Sequence, residues 1–362
     1  MNIISRNPDF VSYNQKYLKP MSYKIVGVRN IGEERDEFVN MQNSPFFTSV
    51  NAEMATLRKY ADVLGNAYSD EKFFSKQTYD FIMARIKNMR SDYKAFNFLA
   101  KYKDVMDGVE LKVLKFFINK LNQYKTAKIS EVIEEQLPKS YKNLHDEYAK
   151  NIYELKMIVS EMQDSKKKLR AVAVLDSWEN DLHFKNYESA IASEKYINIF
   201  SKMKFSKQED NIKEMIASTL DKLPSCSEDF DAFIVKYKDV SRRKFFKALI
   251  EPFMVSIEHV IPKSRGGHAS SIGNCILVRA KDNQKRGSER MLAKHPERKN
   301  FLIEYFKRVV EKINEGGMSE IQWYPFEVKK SIEAETLNKV NLDKELELLK
   351  ISEEEAYKSF IA

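Results

Sequence analysis

Histidine, glycine and positive charge gather in one short stretch of this 362-residue chain. Residues 256–300 carry ten lysines and arginines against four acids, a net +6 out of +8 for the whole sequence. Gly266, Gly267, Gly273 and Gly287 fall in the same stretch, out of ten glycines in all, and His259, His268 and His295 are three of five histidines. An imidazole, with an ordinary pKa of about 6.5, can accept or release a proton at neutral pH. Glu258, Asn274 and Asn283 add carboxylate and carboxamide oxygens to the same region. Basic charge interleaved with such groups suits a polyanion. The competing reading of the charge alone is a solvated basic face.

Four elements are needed to position these residues. MVSIEHVI (254–261) is rich in β-branched residues and reads as a strand. Pro262 ends it, because proline cannot donate to a ladder. Lys263 to Ile272 reads as a loop, with Gly266–Gly267 supplying the freedom for a sharp turn. NCILVR (274–279) reads as a second strand, AKDNQKR (280–286) as a short helix, and Gly287 is placed to stop that helix. Adjacent strand residues face opposite ways, so Glu258 and His259 can serve one site only at a distorted strand end.

The order strand, loop, strand, helix with Glu258-His259, Pro262, Gly266-Gly267, Asn274 and Asn283 resembles the HNH nucleases. That family has a ββα-metal fold with an acid-His pair, a proline after it, a glycine-containing loop, a central Asn and a closing His or Asn on the helix. Pro262 stands one residue later than the family's usual place, and Lys285 and Gly287 match its trailing Lys and Gly. SIGNCILVRAKDNQKRGS is similar to the HNH domain of type II CRISPR effectors, including the gap between the two asparagines. The resemblance covers about 40 residues. It implies hydrolysis of a DNA phosphodiester with His259 as general base, Asn274 bracing the loop that holds it, and Glu258 and Asn283 as ligands of Mg²⁺ or Mn²⁺. Lys263, Arg265, Lys281, Lys285 and Arg286 are then candidates to grip flanking phosphates without reading sequence. Two departures stand out. Glu258 replaces the family's more usual Asp or His, and the Cys pairs that hold many such fingers on zinc are absent, so no structural zinc is expected and packing must hold the finger.

The rest of the chain is read as support. Hydrophobic residues make up 43% and charged residues 31% of the sequence, a globular rather than disordered balance. Two cysteines, Cys226 and Cys275, exclude a four-Cys zinc ribbon and favour a reducing, cytoplasmic setting. No apolar run is long enough to span a membrane, and the first residues have no signal-peptide pattern. Asn51 to about Leu223 reads as mostly helical. Leu111, Leu114, Ile118 and Leu121 share one helical face, and Tyr141, Leu144, Tyr148, Ile152, Leu155, Val159 and Met162 form a three-heptad seam. The seam predicts the core face of a bundle helix ahead of a homo-oligomer contact. Ser206 and Glu209 form a capping-box pattern, SYKIVGV (22–28) has strand character, and Pro138 and Leu223–Pro224–Ser225 predict breaks. SKKKLR (165–170) reads as a solvated helix turn, Cys275 as core, His268 as a loop residue and His295 as a helix cap before Pro296.

The expected architecture is therefore mainly α. A helical regulatory or partner-binding region covers 1–224, an HNH domain with flanking helices 225–317, and a helical extension 318–362. Anti-phage defence, restriction and mobile-element nucleases all fit the resemblance. No GxxxxGK[ST] run occurs, so any NTP use is expected in a separate ATPase or regulatory partner. The alternatives are a degenerate HNH fold that only binds nucleic acid or aids assembly, which Glu258 favours and the His259–Asn274–Asn283 set opposes, and an RNA nuclease, for which base-stacking aromatics near the site are lacking.

Overall fold

The computed structural model describes residues 54–361, apart from 164, 184–193, 204, 206–208 and 269–270. The expected strand at 22–28 and the capping residue Ser206 lie outside the described residues. The described residues are 69% helix and 4% strand, the mainly α class that the helical spacings predict.

Leaving single turns unnumbered, the helices before the sheet are α1 (Lys76–Asn88), α2 (Asp92–Leu99), α3 (Gly108–Gln123), α4 (Ile129–Ser160), α5 (Lys166–His183), α6 (Glu194–Ser201), α7 (Asp210–Asp221), α8 (Phe230–Lys236) and α9 (Arg242–Ile250). Strands β1 (Val255–His259) and β2 (Cys275–Arg279) follow, then α10 (Ala280–Arg286), α11 (Arg298–Asn314), α12 (Tyr324–Glu335) and α13 (Glu353–Ile361). Several starts are fixed by local chemistry. Ser75, Ser91, Asp229 and Ser241 each accept a hydrogen bond from a backbone N–H in the first turn of the helix that follows.

Three apolar cores organise these elements. Helices α1 to α3, the first turns of α4, and α8 and α9 enclose an aromatic core, in which Phe96 stacks on Phe117 at 4.9 Å and Phe245 meets Phe117 edge-on at 5.0 Å. The remainder of α4 packs with α5, α6 and α7 around Trp178, which stacks on Tyr196 at 5.0 Å. Six of the seven seam residues, Leu144 to Met162, are buried in this second core. The seam is thus spent inside the chain and presents no strip for a second copy.

Helix α4 runs through Pro138 without a break, against the expectation of an interruption there. Proline removes one intrahelical hydrogen bond and crowds the preceding turn. Pro138 lies on the exposed side of the helix, while Ile133 before it and Ser140 and Leu144 after it are buried. Tertiary packing on both sides therefore overrides the local signal. Pro138→Ala is expected to raise stability by about 1–2 kcal/mol, read as a later chemical-denaturation midpoint. An earlier midpoint would mean that packing requires the proline's geometry.

The third core surrounds the sheet. It draws on Leu57, Ala61, Leu64 and Tyr68, on both strands, on α11 and α12, and on residues as far as Ala356. Boundaries at 224/225 and 317/318 thus do not coincide with the edges of this core. Ala67 donates its N–H to the Leu277 carbonyl at 2.9 Å, and Phe74 bridges Met254 in parallel.

Candidate functional site

β1 and β2 pair antiparallel, with Glu258 opposite Ile276 and His259 opposite Cys275. β2 is buried along its whole length, whereas β1 alternates at its end, Glu258 buried and His259 half-buried. Helix α10 begins directly after β2 and Gly287 ends it with φ of 55°. Ser256 and Glu258 are two apart on a strand, and Asn283 and Arg286 are three apart on a helix, so each pair shares a face. The two faces meet. Asn283 Nδ2 donates to Ser256 Oγ at 3.0 Å and to the Ile257 carbonyl at 3.1 Å. Arg286 donates to Glu258 Oε1 and to the carbonyls of His259 and Val260, the last two at 2.7 Å.

The loop after β1 is braced by Asn274. Its Oδ1 accepts from the Ile261 N–H at 2.8 Å, and its Nδ2 donates to the Ile261 and His268 carbonyls at 2.9 and 3.1 Å. Both backbone groups of Ile261 are held by one carboxamide, two residues beyond His259. The glycines have separate reasons. Gly266 adopts φ of 87°, and a Cβ on Gly267 would lie 1.7 Å from the Ile261 carbonyl oxygen.

Several predicted roles are not those the geometry assigns. Arg286 is 4% exposed and also pairs with Glu335 of α12 at 3.3 Å, so it faces inward and not toward a phosphate. Lys281 is held by Asp107 and Glu110 and lies 4.8 Å from the Phe253 ring. Arg265 is paired with Glu335 at 2.6 Å. Lys263 and Lys285 are exposed, and Lys285 lies 3.3 Å from the exposed Glu228. Cys275 is fully buried and His268 is an exposed loop residue. His295 does not cap a helix. Its ring contacts the Glu297 carboxylate at 2.9 Å, and α11 starts at Arg298 with no side-chain cap.

As metal ligands, Glu258 and Asn283 do not fit as a pair in this arrangement. Both Asn283 contacts use its amide nitrogen, which leaves Oδ1 without a partner among the described residues. The Glu258 carboxylate is buried with one oxygen on Arg286 and the other, Oε2, lacking a hydrogen-bond partner. A guanidinium on that carboxylate repels a second cation. No group of three or more His, Cys, Asp or Glu side chains with metal-binding geometry occurs among the described residues. Burial pushes the Glu258 carboxyl up to about 7, although the Arg286 charge acts in the opposite direction.

No family model, curated protein or solved structure matches the chain. No described helix is long and apolar enough to cross a membrane.

Residues the motif does not contain complete the surroundings. Glu335 joins Arg286 and Arg265 into one ionic group. Arg290, Lys294, His295 and Arg298 line an open cleft with Lys285 and Arg286. The charge count contains all of these basic residues, but only folding shows which of them share a concavity.

Proposed function

We propose that the chain is an HNH-like endonuclease that hydrolyses DNA phosphodiesters, with His259 as the general base and Asn274 as the positioning residue that sets its loop. The Asn274 clamp on Ile261 carries this reading, because it fixes the backbone next to a half-buried histidine at the end of β1. The strand-loop-strand-helix order around it is a second support. The requirement for Mg²⁺ or Mn²⁺ rests on the resemblance, and Asn283 Oδ1 is the ligand-grade atom presented here. His259 would accept the proton of the attacking water, and the exposed Lys263 and Lys285 would hold neighbouring phosphates.

The test is cleavage of supercoiled plasmid by the full chain with each divalent metal in turn. Nicked or linear product is expected. An inert protein under all metals, with DNA binding intact, would support instead a nucleic-acid-binding role, the reading favoured by the Glu258–Arg286 pair. Faster hydrolysis of RNA than of DNA would move the substrate class.

A further inference from the structure

The turn between α10 and α11 carries a small open cleft. Lys285, Arg286, Arg290, Lys294, His295 and Arg298 line it, with Glu289 as the single acid. Arg298 is the informative member. It is 9% exposed and its guanidinium lies 4.2 Å from the centre of the Tyr68 ring. No carboxylate lies within ion-pair distance of it among the described residues, although its charge acts on the buried Glu258 carboxyl; Arg286 by contrast directly contacts Glu258 and Glu335. A nearly buried cation without an anionic partner is costly, and a bound anion relieves that cost. A guanidinium stacked on an aromatic ring is also fixed in orientation, with its donor fork available for bidentate contact to a phosphate. At the rim, Arg290 donates to the Glu335 backbone carbonyl at 3.1 Å, which leaves its charge uncompensated by that contact. Lys294 pairs with the exposed Glu289 at 2.9 Å, and exposed pairs of this kind are weak.

We infer that this cleft binds a backbone phosphate of a DNA duplex, gripped by Arg298 from within and by Arg290 and Lys294 from the rim. The phosphate chemistry follows from the cleft itself, and the choice of DNA rests on the nuclease reading. Arg286 links the two places. It borders the cleft while its donors hold the carbonyls of His259, Val260 and Glu289 and the carboxylates of Glu258 and Glu335. A phosphate held by Arg290, Lys294 and Arg298 sits beside Arg286, whose own donors are all spent on protein acceptors.

The test uses the full chain carrying His259→Ala, so that DNA stays intact, and a fluorescently labelled duplex titrated over a salt series. Arg290→Gln with Lys294→Gln is expected to weaken binding about tenfold and to reduce the salt slope by nearly two, since each phosphate contact contributes about 0.9. Arg298→Gln is expected to weaken binding as well. Should that variant fail to fold, the exposed double substitution still decides the matter. Unchanged affinity and slope in the double variant overturn the proposal. Inorganic phosphate provides the second arm. If it raises the melting temperature of the parent but not of the double variant, while duplex affinity is equal in both, the cleft is a small-anion site and the DNA assignment falls. An equal loss on an RNA duplex that the parent binds more tightly than DNA also overturns it. The two readings fail separately. A wild-type chain that cuts nothing, with binding lost in the double variant, removes the nuclease and keeps the cleft.

Discussion

His259→Ala is expected to reduce plasmid cleavage by about 100-fold or more, the usual scale for losing a general base, with duplex affinity unchanged. The argument is one of position. His259 closes β1, its side chain is half-buried, and it pairs through the backbone with the buried Cys275. Its carbonyl is held by Arg286 and the loop two residues on is held by Asn274. The backbone that carries the ring is thus held on both sides of it. Melting temperature and duplex affinity are measured alongside, and a loss of cleavage with both unchanged reports chemistry and not folding. Asn274→Ala makes the useful comparison. It frees both backbone groups of Ile261, so it should lower the melting temperature and cleavage together. A His259→Ala protein that cuts at the wild-type rate would place the base elsewhere.

Much of the frame was legible in the sequence because it depends on local rules. Alternating β-branched residues, Pro262, the paired glycines and Gly287 placed β1, the loop and α10 close to where they fall. The loop-bracing role of Asn274 came from the resemblance; in the structure its carboxamide bonds both backbone groups of Ile261. The heptad seam announced a buried helix face, and its burial within one chain required knowing that α5 to α7 return to cover it. What local pattern could not reveal is the pairing of charges across long separations. Lys281 and Arg286 look like phosphate ligands in a basic run, yet their acids, Asp107 and Glu335, lie 174 and 49 residues away. Once those acids are placed, the lysine and the arginine become internal fastenings. Conversely, Arg298 was one basic residue among ten until the fold placed Tyr68 beneath it. Pro138 shows the same limit for backbone rules, which packing on both sides of α4 outweighs.

Glu258→Ala is expected to lower stability by about 3 kcal/mol, because it leaves a buried guanidinium short of a partner. Both side chains of the pair are almost wholly covered, at 5% and 1% exposure. Arg286 also tethers the carbonyls of His259 and Val260, so its misplacement loosens the end of β1. Glu335 still faces Arg286 in the variant, which keeps the loss from being larger. A ligand role for Glu258 predicts a different pattern, with little change in the melting of the metal-free protein and a large change in metal dependence. Glu258→Gln separates the contributions further, since the amide retains an acceptor for Arg286 but no charge. With the carboxyl pushed up to about 7 in the folded chain and near about 4.3 when unfolded, the folded state holds the proton more tightly across that interval. Stability from this group is therefore complete below about pH 4.3 and falls as pH rises toward 7. Glu258→Gln should flatten that part of the stability–pH curve, measured by chemical denaturation between those limits. An identical slope in wild type and Glu258→Gln would show that the Arg286 charge outweighs burial and keeps the carboxylate ionised throughout.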